Sequence, residues 1–190
     1  MSDSESNLEQ LHERVLVMRA QVGDPSAFHE LVAIYQERLA YYIQRFTHNW
    51  HESSDILQQV WLDAFQKLRK LRAPEAFRVW LYRLAHDRVV TFLRRQKIDW
   101  DVKDTIAGDT QEAQGSELEL LENVELVHAA LEKLTVVHRE VMTLRFLEEM
   151  EVADIASVMQ CSEGTAKSRL HYAKLAMRRA IEELAGGRHE

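Results

Sequence analysis

Val152-Ala153-Asp154-Ile155-Ala156-Ser157-Val158-Met159-Gln160-Cys161-Ser162-Glu163-Gly164-Thr165-Ala166-Lys167-Ser168-Arg169-Leu170-His171 is the stretch on which the reading of the fold turns. Ile155, Ala156 and Val158 give a short helix, Val152 to Met159, one apolar face. Gln160-Cys161-Ser162 makes a turn. A second helix then runs from about Glu163 to Leu184, with Ala166 and Leu170 on its buried side and Leu175 and Met177 extending it. Two helices meeting on small and apolar side chains across a tight turn predict a helix-turn-helix. Ser162 is placed to cap the second helix, leaving free N–H groups at a tip built from Gly164 and Thr165. Lys167, Ser168, Arg169, His171, Tyr172 and Lys174 form the polar surface, with Lys167 and Arg169 best suited to phosphate or guanine. A basic solvated helix in an ordinary bundle fits the same composition, but the short helix, the turn and the small-residue tip favour duplex DNA.

Upstream, Val127, Ala130, Leu131 and Leu134 share one helix face, and Thr135 fits the N-cap of the next helix. That helix carries Val137, Val141, Leu144 and Leu147 and ends around Glu148-Glu149-Met150. These elements make one unit over 124–185, followed by a tail, 186–190. Before it, residues 98–123 hold two glycines, many acids and no sustained apolar period, which reads as a flexible linker. A structureless stretch of that length inside one compact domain is improbable, so two domains are expected.

The first of them, 23–97, reads as consecutive amphipathic helices behind an N-terminal extension, 1–22. Asp24-Pro25-Ser26 is a helix-start signal, and Phe28, Leu31, Val32, Tyr35 and Leu39 follow at helical spacing. A second helix starts near Ser54-Asp55 and runs to about Leu71, with an apolar stripe of Leu57, Val60, Trp61, Ala64 and Leu68. Asp55, Gln59, Leu62 and Gln66 fall on another of its faces, at i, i+4, i+7 and i+11. After a break at Arg72-Ala73-Pro74, a third helix runs from Glu75 to Gln96 through Phe77, Trp80, Leu81, Leu84, Val89, Phe92 and Leu93. The expected architecture is all-α: two small helical domains joined by an acidic flexible linker, the C-terminal one a helix-turn-helix.

A net charge of −7 argues against a nucleic-acid partner until its distribution is read. Arg78 to Lys97 carries six basic residues against one acid, and Ser162 to Ala180 carries five against one. Ile98 to Leu126 carries nine acids against Lys103 alone. Screening confines phosphate attraction to about 8–10 Å at ordinary salt, so the local segments decide. The first six residues hold no secretory signal, and no run of about 18 apolar residues exists to insert in a membrane, so a cytoplasmic location is expected. Cys161 is the only cysteine, so neither an internal disulfide nor a cysteine zinc site is available.

The ordered motifs resemble the extracytoplasmic-function sigma factors of bacterial RNA polymerase. Val152 to Ala156 with Ser162 to His171 looks like the promoter-reading domain, and Leu131 to Leu134 with His138 to Phe146 looks like the helices before it. Ser54-Asp55-Ile56-Leu57-Gln58-Gln59-Val60-Trp61 resembles the polymerase-docking helix. Phe77-Arg78-Val79-Trp80-Leu81-Tyr82-Arg83-Leu84-Ala85 resembles the helix for the melted strand. The resemblance implies a factor that binds core RNA polymerase through its clamp and flap, reads promoter DNA and helps open it. It also admits an anti-sigma factor as a partner, and no cofactor or metal.

Under that resemblance the second domain reads the duplex −35 element through Ser162, Gly164, Thr165, Lys167, Ser168, Arg169, His171, Tyr172 and Lys174. Arg78, Trp80, Tyr82, Arg83, Arg94, Arg95 and Lys97 supply the cations and stacking surfaces that an opened −10 strand needs. Trp80 reads first as a core aromatic, and the cations ending the helix also complement its dipole. Asp55, Gln58, Gln59 and Leu62 would face a helical clamp of the polymerase. A flexible linker of this length spans about 25–30 Å, whereas elements two duplex turns apart lie about 70 Å apart, so the bound linker must be stretched.

Several residues depart from the family. Val136 and Val137 stand where proline is frequent, and Gln59 replaces a common glutamate. Asp87 takes the place of a usual asparagine, putting an anion near the proposed DNA surface. Tyr172 and Lys174 replace frequent arginines. Three rivals remain: a helix-turn-helix repressor or response-regulator output domain, a helical protein-interaction module, and an enzyme. The first leaves the first domain unexplained, and the second predicts no salt-dependent DNA binding. Against the third, the nine histidines make no His-Glu-x-x-His spacing, no glycine-rich phosphate loop exists, and His48 with His51 has no Cys nearby and reads as a surface helix end, so no catalytic residue is expected.

Overall fold

A computed structural model describes residues 2–47, 49–96 and 124–186. Lys97, the predicted linker and all but the first residue of the predicted tail lie outside the described residues. The chain is all-α, with eight α-helices and no strand among the described residues.

Helix α1 covers Ser2–Gln21, a stretch that the sequence reading set apart as an extension. Leu16 and Val17 on this helix are fully buried, and it packs along α2 (Pro25–Gln44). The boundary between them is fixed by local chemistry. Gly23 adopts φ +98°, a left-handed conformation that a β-carbon would strain. Asp24 caps α2 by accepting from the Ser26 and Ala27 amides, and the Arg19 guanidinium binds its other oxygen at 2.9 and 2.7 Å. Hydrogen bonding from Arg19 accordingly holds the Asp24 carboxyl below the usual carboxylate range.

Helix α3 spans Trp50–Lys67, beginning about a turn earlier than expected because Asn49 caps it, accepting from the Glu52 amide at 2.9 Å. The break before α4 (Phe77–Arg95) lies where predicted and is filled by a short 3-10 turn, Pro74–Ala76. Leu31, Tyr35, Leu39 and Tyr42 of α2 meet Val60 and Ala64 of α3 and Phe77, Leu81 and Val89 of α4 in one buried cluster. Arg88 of α4 donates to Asp63 of α3, which also pairs with Lys67 at 3.1 Å, tying the two helices at the rim of that core.

The second set of helices is α5 (Val124–Lys133), α6 (Val136–Met142), α7 (Val152–Val158) and α8 (Glu163–Gly186). Thr135 caps α6 as expected, accepting from the His138 amide at 3.3 Å. The α-helix does not continue to Glu148, however. It passes into a π-helical turn, Thr143–Leu147, closed by the Glu148 amide on the Thr143 carbonyl at 3.0 Å. The helix-turn-helix follows. Ile155, Ala156 and Val158 are buried where α7 packs on α8, as is Ala166, while Leu170, expected beside Ala166, is half-buried and Ala173 is fully buried.

The two helical units are packed together, an arrangement on which the linker reading was silent. Helix α7 lies against α4, and Glu140 on α6 and Glu148 after the π turn reach side chains of α2 and α4.

Candidate nucleic-acid interface

Ser162 closes the N-terminus of α8, its Oγ accepting from the Thr165 amide at 3.1 Å and lying 2.8 Å from Thr165 Oγ1. A β-carbon built on Gly164 would meet only Ser162 Oγ at 3.7 Å, an ordinary contact. Internal packing therefore does not demand glycine there. Beyond the tip, Lys167, His171, Lys174 and Arg178 recur at i, i+4, i+7 and i+11, and all four are exposed. Ser168 is exposed beside them. The ammonium of Lys174 sits 5.3 Å from the centroid of the Phe146 ring, which steadies it without hiding it. Arg178 was not anticipated, although the heptad step from His171 leads to it; it pairs with Glu182 at 2.9 Å.

Arg169 does not share this face. Two residues along an α-helix turn the side chain through roughly 200°, so Lys167 and Arg169 point in nearly opposite directions. The Arg169 Nε is buried without a hydrogen-bond partner, and its charge lies beside Cys161 and His86. Tyr172 and Thr165 are half-buried for the same angular reason, Tyr172 standing edge-on to His171 at 5.4 Å.

The expected −10 residues on α4 also divide. Arg83, Arg94 and Arg95 are exposed, with Arg83 donating to the Gln160 side chain at 3.4 Å. Trp80 is half-buried and tilted on Phe77 at 5.9 Å. Tyr82 is fully buried, edge-on to Tyr42 at 5.5 Å and facing Glu148. It cannot stack on a base while the two units are packed. Arg78 points the same way, its Nε and Nη2 buried near Glu148. Burial, with the Glu148 charge adding to it, pushes the Tyr82 hydroxyl far above the usual phenol range, so it stays neutral.

A second cross-unit cluster surrounds His128. Arg45 Nη1 donates to its Nδ1 at 2.8 Å, and Tyr41 Oη lies 3.1 Å from its Nε2. Burial and the neighbouring Arg45 both hold His128 below the usual imidazole range, so the ring is neutral and its proton belongs on Nε2. Arg139 adds a bond from Nη1 to the Arg45 carbonyl at 2.7 Å.

On α3, Asp55, Gln58, Gln59 and Leu62 are all exposed on adjacent faces. Two aromatic residues there escaped the sequence reading. Phe65, one turn beyond Leu62, is 66% exposed and meets Phe28 edge-on at 5.3 Å. Trp50 at the start of the helix is 63% exposed. Among the described residues no helix is long and apolar enough to cross a membrane, and no cluster of three or more His, Cys, Asp or Glu could hold a metal ion.

Comparison with known proteins agrees with this layout. A family profile described as Sigma-70 region 2 matches residues 31–98, and one described as Sigma-70, region 4 matches residues 125–177. The chain is 33% identical over 188 residues to the RNA polymerase sigma-H factor of Pseudomonas aeruginosa, covering 93% of this chain and 97% of that protein. It is 32% identical, with the same coverage, to the ECF RNA polymerase sigma-E factor of Escherichia coli K12. Among solved structures, CnrH in complex with the cytosolic domain of CnrY matches with a TM-score of 0.67 at 21% identity, over 90% of this chain and 98% of that one. RpoE in complex with the anti-sigma factor NepR from Bartonella quintana matches with a TM-score of 0.61 at 18% identity, over 82% of this chain and 96% of that one. At these identities the two structures bear on the fold alone.

Proposed function

The chain belongs to the extracytoplasmic-function sigma factors, and on that premise we propose which of its surfaces does each part of the work. As a sigma factor it binds core RNA polymerase and directs promoter recognition and transcription initiation; it is not an enzyme. The second unit, within 124–185, reads the −35 duplex with the exposed face of α8: Ser162, Gly164, Lys167, Ser168, His171, Lys174 and the added Arg178. The observation that carries this assignment is that four polar or basic side chains repeat along one exposed face behind a capped, glycine-bearing helix tip. Arg169 joins that face only if its side chain swings out of the contact with the first unit.

The first unit, within 23–97 and extended by α1, takes the −10 strand on α4. Arg83, Arg94 and Arg95 are open to it, while Tyr82 and Arg78 become available when the second unit moves away. Polymerase docks on α3 through Asp55, Gln58, Gln59 and Leu62, with Phe65 as an apolar anchor. A cytoplasmic location follows from partnership with the polymerase. An anti-sigma factor is a further partner in this reading, by analogy with the complex from Bartonella quintana.

Run-off transcription with core polymerase tests the assignment. Lys167→Ala with His171→Ala is expected to abolish promoter-specific transcripts and leave polymerase binding intact. Asp55→Ala with Leu62→Ala is expected to lose polymerase binding while the second unit still shifts promoter DNA. Normal transcription by both double variants would refute the assignment.

A further inference from the structure

Glu140 and Glu148 belong to the second unit, yet their carboxylates are buried against the first. Glu140 is fully buried: its Oε1 accepts from the Tyr42 hydroxyl of α2 and lies 2.7 Å from His86 Nδ1 of α4, and its Oε2 has no hydrogen-bond partner. Glu148 is 2% exposed and accepts from Arg38 of α2, with Nε and Nη2 each at 3.1 Å, while Tyr82 and Arg78 of α4 face it. Removing a carboxylate from water is costly, and what compensates here comes almost wholly from across the boundary between units. When the units part, both carboxylates rehydrate and the compensation is no longer needed. The contact is therefore balanced between large opposing effects.

We propose that Glu140 and Glu148 form a carboxylate latch that holds the two units closed over the α2–α4 face, and that the latch tightens as protons are added. His86 is the principal proton site. It is faced by Glu140 from α6, by Asp87 on its own helix and by Arg169 from α8. Burial alone would lower its affinity for a proton, and Arg169 acts in the same direction. The Glu140 charge and hydrogen bond, aided by Asp87, outweigh them, so His86 titrates above the usual imidazole range in the closed state. Glu148 is faced by Tyr82, Arg38 and Arg78, and burial outweighs all three, so its carboxyl also titrates above its usual range.

Both shifts have one sign. A group that holds its proton more tightly when closed favours closure at low pH and releases it as pH rises through the closed-state value. For His86 the full contribution is present below about pH 6.5, the open-state value, and is lost above it. Glu148 acts lower, near and above the ordinary carboxylate range. Acid thus keeps Tyr82 and Arg78 covered, and mildly alkaline conditions free them.

Small-angle X-ray scattering of the full chain, without DNA or polymerase, tests the latch independently of the promoter assignments. The radius of gyration is expected to rise between about pH 6 and pH 8.5, the interval that spans the imidazole titration. His86→Gln keeps a donor for Glu140 but does not titrate, so its radius should be flat over that interval. Glu140→Gln should reverse the slope. With the carboxylate gone, burial dominates at His86 and the closed state prefers the neutral ring, so the units open on acidification. A wild-type radius indifferent to pH overturns the proposal, as does a His86→Gln variant that follows the wild-type curve or a Glu140→Gln variant that keeps its slope.

Discussion

Gln160 Nε2 donates to Asp87 Oδ1 at 2.6 Å, joining the turn of the helix-turn-helix to α4 of the first unit. Gln160 does so from a left-handed backbone, φ 52°, at the end of α7 where glycine is the usual residue. The same side chain accepts from Arg83, so one strained residue engages both an anion and a cation of α4.

Backbone and side chain make separable contributions there. Gln160→Ala loses both contacts and keeps the left-handed strain, whereas Gln160→Gly loses the contacts and relieves it. The glycine variant should be the more stable of the two by about 1 kcal/mol in chemical denaturation. Equal stabilities would mean that the turn adjusts without strain.

Asp87 carries a charge that an asparagine at this position would lack, and the geometry gives the difference a consequence. An asparagine at this position could still accept from Gln160 through its amide oxygen, so Asp87→Asn should leave the packing of the two units in place. The substitution removes one of the charges that raise His86. The imidazole should therefore titrate at lower pH in the variant, which an NMR titration of the ring protons would follow. An unchanged midpoint would show that Asp87 is screened from His86.

The exposed face of α8 makes a quantitative expectation for salt. A side chain that neutralises one phosphate contributes about 0.9 to the slope of log K against log salt. Lys167→Ala and Lys174→Ala should each flatten the slope by about that amount for promoter duplex, and Arg178→Ala should do so if it leaves Glu182 for phosphate. Arg169→Ala should leave the slope nearly unchanged when the units are packed. If Arg169→Ala gives the largest change and Lys167→Ala none, the reading face is on the other side of the helix.

Much of this was legible from residue order. The helix-turn-helix follows from the Ile155, Ala156, Ala166 and Leu170 pattern, and the Thr135 and Asp24 caps stand where their residue types predict. Helix α1 was not read as part of the fold, because its apolar residues lie on two opposed sides. Leu16 and Val17 face the core, while Leu8, Leu11, Val15, Met18 and Val22, spaced three and four residues apart, form one solvent-facing stripe, so the helical period in the sequence lies on the side away from the core. Residue type alone pairs Arg169 with Lys167, whereas the angular step along the helix separates them. The buried partners of Glu140 were out of reach for a deeper reason. Tyr42 and His86 lie 98 and 54 residues from it along the chain, and no local period encodes a contact between units.

Phe65 lies exposed on α3 one turn beyond Leu62, next to the docking face proposed for this helix. A single exposed apolar side chain signals nothing, but Phe65 continues the line of the exposed Leu62, and aromatic residues are favoured anchors at interfaces. Its edge-on contact with Phe28 orients the ring but buries little of it. Phe65→Ser should weaken core polymerase binding about tenfold, the equivalent of about 1.4 kcal/mol. The loss of one aromatic pair should cost the isolated chain about 0.5–1.5 kcal/mol. Affinity measured by fluorescence anisotropy and stability measured by denaturation separate the two effects. Phe28→Leu supplies the control, since it removes the ring pair and leaves Phe65 on the surface, so polymerase affinity should stay close to that of the unaltered chain. If Phe28→Leu weakens binding as much as Phe65→Ser, the ring pair acts by supporting α3, and Phe65 itself makes no contact with the polymerase.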